Sequence, residues 1–81
     1  MDKKYDPKNY SKVLRCSMET VYEAARIWEK ERTLISLGNL KNELGPLLTD
    51  LKIAAFSHQI TETQRDEMKD YFLSLTAGEW K

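Results

Sequence analysis

The chain has 81 residues, with thirteen acidic and thirteen basic side chains, one histidine and one cysteine. That length leaves room for one hydrophobic core, which buries only about 60 to 65% of the unfolded surface, so stability is expected to be modest. Balanced charge sets up no global field towards nucleic acid, membrane or acidic substrates, and a lone cysteine excludes an internal disulfide.

Charge is nonetheless uneven along the chain. Residues 1 to 15 carry Lys3, Lys4, Lys8, Lys12 and Arg15 against Asp2 and Asp6, whereas residues 61 to 81 carry five acids against Arg65, Lys69 and Lys81. Neither the apolar core of a signal peptide nor the long apolar run of a membrane-spanning helix is present. Together with the single Cys16, this predicts a cytoplasmic protein with no membrane association. No repeat or Gly/Ser-rich linker divides the sequence, so residues 1–81 are read as a single helical domain with residues 1–6 a flexible N-terminal segment.

Asp6 and Pro7 have the order of an N-cap followed by proline at the first helical position. A first helix is predicted over residues 8 to 31, on whose wheel Leu14, Met18, Val21, Ala25 and Trp28 fall within about 80°. Ser17 marks a place where that helix can break in two. Ser36 is expected to cap a second helix carrying Leu37, Leu40 and Leu44, which Gly45-Pro46 should interrupt because proline removes a backbone donor and clashes with the preceding turn. The rhythm then resumes in Leu47, Leu51 and Ala55, giving two helices with a tight junction. Ile53, Phe56 and Ile60 lie on the opposite side of this segment from Leu51, so it is apolar on two faces.

Thr61 and Gln64 have the spacing of a capping box. The helix they open carries Met68, Tyr71, Phe72 and Leu75 on its inner stripe, with Gly78 placed for a left-handed cap and Trp80 able to fold back. No segment shows the strict alternation of a half-buried strand. The expected fold is therefore all-α, a small antiparallel bundle of three to four helices. Its core is built from Leu14, Met18, Val21, Trp28, Leu40, Leu44, Leu51, Met68, Phe72 and Leu75.

Asp6-Pro7-Lys8 before a helix, and Gly45-Pro46-Leu47-Leu48 leading to the capped last helix, resemble the helical bundles of bacteriocin immunity proteins. These motifs are caps and leucines, so the resemblance stops at the fold. The extra N-terminal helix and longer C-terminal tail of those proteins have no counterpart in these residues, and no functional residue is carried over.

Chemistry is thinly supplied. One histidine and one cysteine fall short of a zinc ligand set, and the i, i+4 carboxylate pairs Glu19/Glu23 and Asp66/Asp70 lack the dense spacing of a calcium loop. No phosphate-cradling glycine loop is present. Cys16 and His58 sit in no catalytic signature; the first reads as a small packing residue and the second as a helix-capping or partly packed one.

These features predict a non-enzymatic protein without cofactors that binds another protein as inhibitor, adaptor or regulator. Ile53, Phe56 and Ile60 are the leading contact residues, joined by Tyr22 and Ile27 on the outer side of the first helix. Homodimerisation through Ile53 and Phe56 is one form this binding can take. A nucleic-acid partner ranks second, as a helix-turn-helix regulator using residues 36–59 and the basic N-terminal segment. The short supply of Arg, Lys, Asn and Gln over residues 46 to 59 counts against it.

Overall fold

The computed structural model describes residues 4–76, and among them every regular element is helical. A short 3-10 turn, Pro7–Asn9, precedes three α-helices: α1 (Lys12–Glu31), α2 (Leu34–Phe56) and α3 (Glu62–Ser74). The expected Gly78 cap and Trp80 lie outside the described residues.

The Asp6-Pro7 start forms, but it does not lead straight into α1. Asp6 Oδ1 accepts from the Lys8 N–H at 3.0 Å, and the Tyr10 N–H reaches only back to the Pro7 carbonyl at 3.2 Å. Tyr10 is then extended, and Ser11 opens α1 by accepting from the Leu14 N–H at 3.4 Å. The break has a tertiary cause. The Tyr5 backbone is clasped by the Tyr22 hydroxyl, which accepts from the Tyr5 N–H at 3.2 Å and donates to the Tyr5 carbonyl at 2.9 Å. Of the segment expected to be flexible, the described residues 4–6 fold back along α1, and Tyr5 packs on Tyr71 at 5.4 Å between ring centroids.

From Ser11 onward α1 runs unbroken past Ser17, whose hydroxyl donates to Asp50 of α2. Its stripe Leu14, Met18, Val21, Ala25 and Trp28 is buried as the spacing requires. Arg32 ends it in the left-handed conformation, φ 53°, with its guanidinium 4.8 Å from the centre of the Trp28 ring.

Thr33, not Ser36, caps α2. Thr33 Oγ1 accepts from the Ser36 N–H at 3.0 Å while Ser36 Oγ accepts from the Thr33 N–H at 3.1 Å, and this reciprocal pair leaves Ser36 in the third helical position, buried. Gly45-Pro46 does not divide the helix. Pro46 is exposed, so the backbone bond it forfeits, to the carbonyl of Asn42, lies on a face open to water. The continuous buried row Leu37, Leu40, Leu44, Leu47 and Leu51 holds both halves in line against the rest of the core. Tertiary burial has overridden a local break signal.

At the far end of α2 the Gln59 N–H bonds to the Ala54 carbonyl at 2.9 Å and the His58 N–H to the Ala55 carbonyl at 3.1 Å, with His58 at φ 62°. This is the Schellman arrangement, here without glycine. It turns the chain so that Ile60 enters the core before the Thr61/Gln64 capping box opens α3. Met68 and Phe72 of α3 are fully buried, and Leu75 is half-buried at its end. Phe72 sits 5.3 Å from Tyr22 and 5.1 Å from Tyr71, centroid to centroid, closing an aromatic cluster that joins the N-terminal segment, α1 and α3.

Candidate interaction surface

Read as one continuous helix, α2 acquires a second face that the split reading hid. Leu34, Ile35, Ile53 and Phe56 fall within an arc of about 100° on a 3.6-residue wheel, on the side away from the buried leucine row. They are 87%, 78%, 56% and 87% exposed, and they make up four of the six large apolar side chains that stand exposed among the described residues. The face is about 33 Å long. Between its ends stand Gly38, Asn42, Gly45 and Thr49.

The contact residues expected from sequence divide sharply. Ile53 and Phe56 are presented to solvent, whereas Ile60 is buried, because the turn at His58 carries it off the α2 face and into the core. Tyr22 is also buried, its ring in the aromatic cluster and its hydroxyl on the Tyr5 backbone. Ile27 is half-buried on a different surface, a shallow groove of about 490 Å³ between α1 and α2 that it shares with Ala24, Asn39 and Glu43. The five residues therefore do not form one site. Leu34 and Ile35 were missed, and the signal for them is the wheel itself once Pro46 is allowed inside the helix.

A second groove, of about 330 Å³, borders the α2 face on its α3 side and is lined in part by Thr49, Lys52, Arg65, Asp66 and Lys69. Arg65 holds Asp66 at 3.1 Å. Near the end of α2, Val13 of α1 and Ile53 line a further depression, largely apolar, so the exposed patch continues across the hairpin.

Reactive groups do not converge on any of these surfaces. Cys16 is exposed and so is not the packing residue its size suggested, and His58 is exposed at the tip of the α2 turn. Among the described residues no group of three or more His, Cys, Asp or Glu side chains is placed to hold a metal ion, and no helix is long and apolar enough to cross a membrane. Glu23 is engaged by the Arg26 guanidinium at 2.6 and 3.1 Å. The helix-turn-helix reading loses its turn, because the residues that were to form it lie inside α2.

The fold defines a small three-helix domain with an apolar outer helix face. No protein-family model matches the chain, nor does any curated protein or solved structure, so the surface itself carries the functional argument.

Proposed function

We propose that this chain is a non-enzymatic helical domain that binds another protein, as inhibitor, adaptor or regulator, through the outer face of α2. One observation supports the reading above the others: Leu34, Ile35, Ile53 and Phe56 stand in water on a single face of one helix. Scattered exposed apolar residues need no explanation, whereas an aligned set of large ones is a surface that gains by being covered. Burying each such side chain is worth about 1.5–3 kcal/mol. The lone cysteine fits a cytoplasmic setting.

The test is capture from nuclease-treated lysate of the native host by wild-type chain and by Ile53→Asp and Phe56→Asp variants. Both positions are exposed, so the variants should keep the helical circular dichroism of the parent. A protein retained by the wild type and lost by both variants supports the reading. Retention that is indifferent to both substitutions sinks it.

A further inference from the structure

The outer face of α2 is uneven along its length, and the unevenness specifies what would cover it. Its ends are raised by Leu34 and Ile35 on one side and Ile53 and Phe56 on the other, while Gly38 and Gly45 make a low waist. Glycine inside a helix is disfavoured. Neither glycine is required by the chain's own packing, since a Cβ at either position meets nothing within 4 Å. A low waist between raised ends receives bulky side chains from a second helix, ridge into groove.

Charge along the same face is one-sided. Lys52 stands on the α3 side of the helix, and the groove it lines has three bases, Lys52, Arg65 and Lys69, against the single acid Asp66, which Arg65 already holds, leaving Lys52 and Lys69 in excess. The acids of α2 are turned away from the face: Glu43 lines the α1–α2 groove and Asp50 accepts from Ser17.

We infer that the occupant is an acidic amphipathic helix laid along α2, with large apolar residues at its centre over Gly38 and Gly45 and carboxylates against Lys52 and Lys69. This rests on the protein-binding reading above and gives the partner its chemistry. A second copy of the chain is a poorer fit. A two-fold pairing about Gly45 would set large side chains on large ones at both ends and leave the waist empty. An anionic bilayer calls for an unbroken apolar face, which the waist interrupts.

Three synthetic helical peptides of 23 residues, the length of α2, test the inference by fluorescence anisotropy. The first has leucines at i, i+3, i+4 and i+7 spacing flanked by glutamates, the second the same leucines flanked by lysines, and the third glutamates flanking alanines. The first should bind the wild-type chain at least about tenfold more tightly than either other, and more weakly as salt is added. Lys52→Glu should lower that affinity about tenfold, and Gly45→Leu should abolish binding while leaving the circular dichroism unchanged. Equal affinity for the glutamate and lysine peptides, or undiminished binding to Gly45→Leu, overturns the inference. Preferential retention on phosphatidylcholine/phosphatidylglycerol vesicles overturns it in favour of a lipid surface. A dimer in sedimentation that Phe56→Asp dissolves overturns it in favour of a second copy. If a natural partner is captured through Ile53 and Phe56 and the peptides show no preference, the acidic-helix inference fails alone; if capture ignores both Ile53→Asp and Phe56→Asp, the protein-binding reading falls and takes it along.

Discussion

At φ 62° His58 stands where a glycine ordinarily closes a helix, and a side chain there costs roughly 1 kcal/mol in backbone strain. Its ring is exposed. His58→Gly should therefore stabilise the domain by about 0.5–1 kcal/mol, read as a thermal midpoint several degrees higher. Arg32 shares the left-handed conformation but stacks its guanidinium on Trp28, so Arg32→Gly trades strain relief against a contact of similar size and should change the midpoint little. Tyr22 gives a pH-dependent test. Burial foremost raises its phenol above the ordinary 10.0, against the lowering effect of its hydrogen bond to Tyr5. The unfolded chain then loses this proton first as pH rises. The stability it contributes is complete below about pH 10 and declines above it. Tyr22→Phe should flatten that alkaline decline and lower stability at neutral pH by about 1–3 kcal/mol, since the Tyr5 N–H and carbonyl lose their partner. Of these residues the sequence marked His58 as a cap, through its place at a helix end, but gave no sign of the positive φ because no glycine stands there. The clasp on Tyr5 was invisible, since it joins residues seventeen apart through a hydroxyl and a backbone, with no periodicity to betray it.

Helix α2 carries three residues that weaken helices, Gly38, Gly45 and Pro46, and none of them is fully buried. Gly38→Ala and Gly45→Ala should each raise stability by about 0.5–1 kcal/mol, and their effects should add, because neither position has a neighbour within 4 Å to crowd. Failure of either to raise the midpoint in urea or heat would mean that α2 is not continuous in solution. The uninterrupted rhythm of Leu40, Leu44, Leu47 and Leu51 was the legible sign of one helix, and the Gly45-Pro46 pair outweighed it in the sequence reading. A proline signal is local and strong, whereas the burial that overrides it involves α1 and α3, whose positions a one-dimensional pattern does not hold. That one misjudged junction also hid the exposed apolar face, since Leu34 and Ile35 align with Ile53 and Phe56 only through an unbroken α2.

Across the whole molecule the core stripes were legible, because they are repeats of three and four residues with caps at their ends. Phe72 is at their centre, fully buried among Tyr5, Tyr22 and Tyr71. Phe72→Ala should cost about 3–5 kcal/mol, most of the roughly 5 kcal/mol expected of so small a domain, and should leave much of the chain unfolded at 37 °C by circular dichroism. What the sequence withheld at this scale is how the segment before α1 is fastened to α3. The Lys4 N–H donates to the Tyr71 hydroxyl at 3.3 Å, and Tyr5 packs against both Tyr71 and Phe72.

That fastening also bears on the order in which the protein is made. Tyr5 is synthesised well before the rings that cover it, which belong to α3 and follow about 67 residues later, some 3 to 13 seconds at the usual pace of about 5–20 residues per second. The α1–α2 hairpin is complete at Phe56, so for about the last 16 residues, roughly 1 to 3 seconds, it stands without α3 over Tyr22. The core closes only once α3 has been made, because Met68 and Phe72 belong to it.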